Sequence, residues 1–221
     1  MKSFTSLLFA FLLFSFNLFA QGNNKVTKPI SVNDFNTLEL EGAFDVVFKQ
    51  GSTCKVFIEG KEKDVAEFKT IQDGKKLRIS NSKDDDKNGK TNKKDLVVFI
   101  QFEDLEKLET TLVGEITNEN ELKFNTLTFE NTGVGTTDLK INCKELNLEF
   151  TGVGKLKLSG NAITANLEAN GVGSVDARDL VVRDMVAECN GIGNMKVNAY
   201  NTCKISANGL GSVKNYTELK E

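Results

Sequence analysis

The second half of the chain repeats a Gly-aliphatic-Gly triplet five times, and this repeat strongly limits how the chain can fold. Successive triplets begin 19, 19, 20 and 18 residues apart. A fixed period near 20 is typical of stacked structural units. The triplets are Gly133-Val134-Gly135, Gly152-Val153-Gly154, Gly171-Val172-Gly173, Gly191-Ile192-Gly193 and Gly209-Leu210-Gly211.

Aligning the units on their glycines produces columns of apolar residues with polar residues between them. Such alternation predicts strands with one buried face. After each triplet, the inward columns are Thr137, Leu156, Val175, Met195, Val213 and then Leu139, Leu158, Ala177, Val197, Asn215. Before the next triplet, they are Leu146, Ala165, Met185, Cys203, then Leu148, Leu167, Ala187, Ile205, then Phe150, Ala169, Cys189, Ala207. Each unit is therefore predicted to contain two strands in a constant register.

A coiled chain that lays each turn parallel on the last preserves such columns, whereas a hairpin meander would reverse them. Connectors such as residues 142–145 are too short for a helical crossover. The predicted fold class is therefore all-β: a single-domain parallel β-solenoid (β-helix) with a less regular β N-terminal half. Its rungs should lie about 4.8 Å apart, and the crossover rule predicts a right-handed coil.

The triplets are predicted to form the corners of the coil. Glycine reaches positive φ without steric penalty, and the central aliphatic residue is expected to point into the interior as one more apolar column. Amide side chains stacked before the corner can hydrogen-bond from rung to rung. This column reads Thr132, Thr151, Asn170, Asn190 and Asn208.

The N-terminal half carries the same β character with irregular spacing. One helical turn is predicted at Lys63–Phe68 and degenerate rungs near Leu112-Val113-Gly114 and Leu127-Thr128-Phe129. Strands are predicted over Phe35–Leu40, Phe44–Lys49, Lys55–Glu59, Lys76–Ser80 and Leu96–Phe102. No linker separates the halves, so one domain over residues 35–217 is predicted, between a lead segment at 21–34 and a tail at 218–221.

The first residues indicate export. Lys2 precedes an apolar run from Leu7 to Phe19, which predicts a secretory signal peptide over residues 1–20 with cleavage after Ala20. No second apolar stretch follows, so no integral membrane segment is expected after cleavage. The periplasm, the outer-membrane surface and the extracellular medium all remain open as the final location.

Composition excludes several function classes. Without Lys2, 27 of the 28 basic residues remain against 31 acidic ones, which argues against a nucleic-acid partner. Histidine and tryptophan are absent, which removes His-dependent triads and most zinc sites. No catalytic, cofactor-binding or metal-binding residues are predicted, and no cofactor. Cys189 and Cys203 lie about 13 Å apart along the strand direction, beyond disulfide reach, and are interpreted as buried apolar residues.

Two acidic features leave cation binding open. The outward column Glu130, Glu149, Glu168 and Glu188 places like charges on neighbouring rungs, and a solvated face is the favoured interpretation. The loop from Asp84 to Asp95 begins like an EF-hand. Its flanks are predicted strands rather than helices, and Asp95 replaces the expected glutamate, so a solvated loop is favoured.

The triplets, the segment 35–47 (FNTLELEGAFDVV), the Lys49-Gln50-Gly51 turn and the segment 175–180 (VDARDL) resemble the GIN-type head domain family. That family is described as putative auto-transporter adhesin head domains of exported Gram-negative proteins. The resemblance implies an adhesin-like role and supplies no catalytic residues. The usual repeat resembles Ser-Gly-Ala-Gly-Asp; here the Ser position holds Thr or Asn. The Asp position holds Thr136, Lys155, Ser174, Asn194 and Ser212.

Two functions are compatible with these observations. The favoured one is a non-catalytic, exported cell-envelope binding or adhesin-like module whose partner is an envelope glycan or protein. The alternative is a carbohydrate-active enzyme, a polysaccharide lyase or hydrolase, on a β-helix. The mixed cluster Arg178, Asp179, Arg183 and Asp184 in the 20-residue rung is its only candidate site, and surface ion pairing explains that cluster more simply. The oligomeric state stays open.

Overall fold

The computed structural model describes residues 25–81 and 96–217. The predicted signal peptide and the Asp84–Asp95 loop therefore lie outside the described residues. The strands form one continuous 13-stranded sheet, and the repetitive part coils into a β-solenoid of about five turns. The predicted fold class is confirmed.

The N-terminal half contains seven strands and one short helix in the described ranges. The elements are β1 (Lys25–Ile30), β2 (Thr37–Gly42), β3 (Asp45–Gln50), β4 (Lys55–Lys61), α1 (Glu62–Val65), β5 (Lys69–Asp73), β6 (Lys76–Ser80) and β7 (Val97–Phe102). Parallel pairs join β2 to β6 and β3 to β7, while β4 lies antiparallel to both β1 and β7. The five predicted strands are present, with boundaries shifted by at most two residues.

Two strands of this half were not predicted from the sequence. Strand β1 contains Pro29 and lies at the end of the sheet order, next to β4 alone. Proline is tolerated at such an edge because no ladder hydrogen bond is required of it there. Strand β5 pairs antiparallel with β6 and leaves Ile71 exposed, so neither strand shows a clear buried stripe in the sequence.

The repeats form long parallel strands, each hydrogen-bonded to its neighbours in the stack. They are β8 (Lys107–Asn118), β9 (Leu122–Phe150), β10 (Val153–Ala169), β11 (Val172–Cys189), β12 (Ile192–Ala207) and β13 (Leu210–Asn215). Two strands per unit were predicted, whereas each winding is one bent strand, because the hydrogen-bond ladder continues through residues 159–162.

The predicted columns hold in register except at Ala177, where the ladder of the 20-residue rung shifts after Asp176. Ala165 lies opposite Leu146 and Met185, and Leu167 lies opposite Leu148 and Ala187. All of these side chains are buried. In β12, Ile205 is 46% exposed, because among the described residues β13 pairs only with Ile192–Val197 of that strand.

The prediction for the centre of each triplet is wrong. Val153, Val172 and Ile192 stack in register on one sheet, but their side chains point outward into solvent. The alternation of the strand passes unbroken through the corner, so the glycines occupy the inward positions and the aliphatic residue between them faces out. The degenerate rung supports this parity, since Leu112 stands opposite Gly133 and is buried.

Glycine is required at these inward positions by close packing of the rungs. Gly173 has φ +152°, and a Cβ on it would lie 1.9 Å from the carbonyl oxygen of Gly154 on the preceding rung. No side chain fits on the inner side of the corner, so this inner surface is formed by backbone atoms alone.

Candidate binding surface

An aliphatic ladder runs along the outer surface of the solenoid. Neighbouring members are paired residues on adjacent parallel strands, which places them about 4.8 Å apart. Their exposed fractions range from 47% to 78%. The ladder consists of Val113, Val134, Val153, Val172, Ile192 and Leu210.

Hydrogen-bonding side chains, most of them uncharged, flank the ladder on both sides. The preceding outward column is Thr111, Thr132, Thr151, Asn170, Asn190 and Asn208, and the following one is Glu115, Thr136, Lys155, Ser174, Asn194 and Ser212. Only Glu115 and Lys155 carry charge. These three columns are called the uncharged strip below.

The asparagines of the strip form a hydrogen-bonded ladder. The Asn190 Nδ2 donates to Asn170 Oδ1 at 3.0 Å, and Asn208 Nδ2 donates to Asn190 Oδ1 at 3.0 Å. The predicted rung-to-rung bonding of amides is therefore confirmed. No non-glycine residue in the described ranges has positive φ, so these asparagines are used for their amides rather than for left-handed backbone. The asparagine ladder holds one edge of the strip in a fixed geometry.

An acidic rail lies on the far side of the asparagine column. It comprises Glu130, Glu149, Glu168 and Glu188, and the sheet register extends it upstream through Glu109 and Glu39. The Asn170 amide donates to Glu149 at 3.1 Å and to Glu168 at 3.0 Å. Repulsion between neighbouring carboxylates is thus relieved partly by amide donors.

Lysines relieve the upstream end of this column. The Lys107 ammonium lies 2.9 Å from Glu109 and 3.0 Å from Glu130. Its hydrogen bond is the main cause that lowers the pKa of Glu109 below the ordinary 4.5. Within residues 25–81 and 96–217, no three His, Cys, Asp or Glu side chains are grouped so that they could hold a metal ion.

The other side of the strip carries most of the nearby positive charge. Lys157 is bonded to Asp138 at 3.1 Å, and Arg178 binds Asp176 through Nε and Nη2 at 2.9 and 2.7 Å. Tyr216 lies under two cations, with Lys214 Nζ 4.7 Å from its ring centroid. This lysine side is defined as Lys157, Arg178, Lys196 and Lys214 together with Asp138, Asp176 and Asp179. Its four cations outnumber its three carboxylates.

Comparison with known proteins assigns the chain to a family. The model of the putative auto-transporter adhesin, head GIN domain, matches residues 34–218. The chain belongs to this family. A putative adhesin from Bacteroides fragilis is 25% identical, with a TM-score of 0.79 over 88% of this chain and 98% of that one. A putative lipid binding protein from Parabacteroides distasonis shares the fold at 16% identity, with a TM-score of 0.60 over 86% and 96% of the two chains. None of the curated proteins matches.

The structure divides the mixed cluster predicted as the alternative site in this GIN domain. Arg178 is held by Asp176, whereas Arg183 Nε donates to Asp184 Oδ2 at 2.7 Å. The other oxygen of Asp184 accepts hydrogen bonds from Thr202 at 2.7 Å and Asn201 at 2.6 Å. Donation by Thr202, then by Arg183 and Asn201, lowers the pKa of Asp184 from 3.8 to about 2. This saturated carboxylate is a poor general acid or base near neutral pH.

A shallow polar groove of about 300 Å³ lies beside Asp184. Its lining includes Glu145, Asn147, Asn166 and Lys204. The groove has the volume of a small ligand site, but no aromatic ring stands in its wall.

No helix among the described residues is long and apolar enough to cross a membrane.

Cysteine chemistry adds no further site. All four cysteines are free thiols, and burial raises the pKa of Cys143 to about 11. Cys143 belongs to the predicted connector 142–145, but it is buried within β9. Cys189 is buried as predicted. Cys203 is only partly buried, because among the described residues β13 pairs only with Ile192–Val197 of β12 and leaves the rest of that strand uncovered.

Sequence reasoning missed the exposed ladder although the signal was present. Phe150 was correctly placed inside, and counting in twos from it reaches Gly152 and Gly154 rather than Val153. The prediction placed the valine inside because valine is hydrophobic, although the alternation of the strand places it outside.

Proposed function

We propose that this GIN domain is an exported, non-catalytic, adhesin-like binding module of the cell envelope, and that it binds its partner through the uncharged strip. The observation that carries the proposal is the exposed aliphatic ladder. Six aliphatic side chains stack without interruption on an outer surface, and contiguous exposed apolar surface of this kind is a frequent mark of interaction sites.

The distribution of charge supports the strip as the contact surface. Charged residues form 27% of the chain but occupy two of the eighteen strip positions. Depletion of charge is what distinguishes the core of a protein interface from the remaining surface. The flanking Thr, Asn and Ser side chains can supply hydrogen bonds at its rim. The family and the Bacteroides relative, both described as putative adhesins, agree with a binding role.

The described residues show no free acid–base pair, which supports a non-catalytic module. The chain has no histidine, and the two arginines of the mixed cluster each bind a neighbouring aspartate. A lyase or hydrolase would need acidic, basic or cationic side chains that are not held by neighbouring residues and that converge on one position of the substrate.

The test is binding by the secreted fragment, residues 21–221, on glycan and protein arrays and on envelope preparations. The double variant Val153→Asp/Val172→Asp should reduce binding at least about tenfold, because two carboxylates would have to be desolvated in the interface. The matched control is Ile163→Asp/Val181→Asp. These residues lie on the same two strands, outside the strip, and are 43% and 40% exposed.

Equal binding by the wild type and the Val153/Val172 variant would overturn the strip as the contact surface. Depolymerisation of an acidic polysaccharide that is lost in Arg178→Ala would instead support the enzyme alternative.

A further inference from the structure

We propose that the partner of the uncharged strip is a second copy of this chain, so that the domain binds homotypically. This inference rests on the proposed function, since it takes the strip as the contact surface. The proposed interface is self-complementary and two-fold, and in it the aliphatic ladders of two copies pack against each other.

The regular spacing of the ladder favours an identical partner. Val134, Val153 and Val172 follow one another at the spacing of parallel strands. A second ladder with the same spacing can match the first rung by rung over its whole length. A partner without the same repeat would lose this fit after one or two rungs.

The charges beside the strip select one of two possible arrangements. If the two-fold axis runs parallel to the ladder, the acidic rail of each copy faces the lysine side of the other. If the axis runs across the ladder, acidic rail faces acidic rail. Glu149 and Glu168 would then meet their own equivalents, and like charges so placed are strongly unfavourable. The structure therefore points to parallel ladders. A two-fold axis along the ladder keeps each rung at its own height, so Glu149 and Glu188 of one copy lie near Lys157 and Lys196 of the other. Glu130 and Glu168 then face Asp138 and Asp176, which are already paired with Lys157 and Arg178.

The size of the surface indicates a weak interaction. Six rungs span about 24 Å, and the two rails are at most about 26 Å apart along the strand. The area available is thus about 600 Å² on each copy, below the roughly 800 Å² of a standard interface. We expect a dimer that dissociates at low micromolar concentration and forms on crowded surfaces.

Sedimentation equilibrium of residues 21–221 over a wide concentration range tests the inference. The wild type should show a monomer–dimer equilibrium, and Val172→Asp should raise the dissociation constant at least about tenfold. The control Val181→Asp, on the same strand but outside the strip, should leave the equilibrium unchanged. Dimerisation that is unaffected by Val172→Asp would overturn the proposal.

Charge reversal tests the orientation. The variant Glu149→Lys/Glu188→Lys places positive charges opposite Lys157 and Lys196 of the other copy, and Lys157→Glu/Lys196→Glu places negative charges opposite Glu149 and Glu188. Each variant alone should be monomeric. Mixed together they should form a heterodimer, because both rail contacts become attractive. A mixture that stays monomeric would overturn the parallel arrangement, and so would a single variant that dimerises like the wild type.

The two proposals fail separately. A wild type that stays monomeric to about 1 mM while Val153→Asp/Val172→Asp still abolishes array binding would overturn homotypic binding only. The proposed contact surface would stand in that case, with a different partner.

Discussion

The N-terminal half packs aromatic rings among the aliphatic side chains of its core, whereas the described rungs after Phe150 fill theirs with aliphatic and small side chains alone. Phe48 and Phe102 meet edge to face with centroids 6.0 Å apart. In the repeats, the column that begins with Phe150 continues as Ala169 and Cys189. The N-terminal half thus depends on side-chain bulk. The repeats depend on backbones that approach closely at glycine corners.

The same glutamate column is also stabilised differently at its upstream end, where strands of the N-terminal half pair with β8, and in the regular repeats. Lys76 and Lys107 form ion pairs around Glu109, while Asn170 and Asn190 supply amide donors to Glu168. Salt screens the attraction between two charges more strongly than that between a carboxylate and a neutral amide donor. The two regions should therefore respond differently to substitution and to ionic strength.

The largest effect is expected at a glycine corner. Gly173→Ala should lower the free energy of unfolding by about 4 kcal/mol, because the added Cβ overlaps the Gly154 carbonyl and the backbone is strained. The control Gly74→Ala, in a turn with φ +57° and no atom within 4 Å of the added Cβ, should cost only about 1 kcal/mol. Urea denaturation measures both. Equal losses would contradict the claim that backbone proximity limits the repeats.

The next effect concerns the boundary between the two regions. Asn131 is buried, with Nδ2 2.9 Å from Thr137 Oγ1 and Oδ1 3.3 Å from Thr110 Oγ1. Asn131→Leu should cost about 2 kcal/mol because it leaves buried hydroxyls unpaired. Adding Thr137→Val should recover part of this loss. If the double variant is less stable than the single one by urea denaturation, the loss has another cause, such as overpacking.

A smaller effect should separate ion pairs from amide bonds. Lys107→Met should cost less than about 1 kcal/mol at pH 7, and the loss should shrink in high salt. Because the pKa of Glu109 is lowered, its contribution exists above the unfolded value. It disappears as pH falls through the folded value. The loss in Asn190→Ala should depend less on salt, because the side chain removed is uncharged. Equal salt dependence of the two variants, measured by urea denaturation, would contradict the comparison.

The smallest effect is confined to one carboxylate of the repeats. Thr202→Val should raise the pKa of Asp184 from about 2 toward 3.8, because its strongest hydrogen-bond donor is removed. NMR titration of the carboxyl carbon measures this directly. Any stability contributed by the wild-type carboxylate is present above pH 4 and is lost as pH falls toward 2. An unchanged titration would show that Arg183 and Asn201 suffice.

Much of the repetitive half could be predicted because its pattern is redundant. Leu146, Ala165 and Met185 occupy one column in the sequence and one column in the structure. The N-terminal half offers no such repetition, and β1 and β5 were missed there. Strand β1 pairs with β4, which is distant in sequence, and β5 pairs with β6 but has no clear buried stripe of its own.

The candidate site was predictable only in part. The asparagine ladder and the acidic column follow from the period, and both are found in register. The sequence did not reveal that Asp184 is saturated, because its partners Asn201 and Thr202 come from the next rung.

By itself, the sequence determined the coil, its period and the identity of each column, because every residue of a repeat meets its own equivalent one turn away. Only the tertiary structure decided which columns face inward at the corners. Stacked backbones leave no space for a Cβ at the glycines, and this forces the hydrophobic residue between them into solvent.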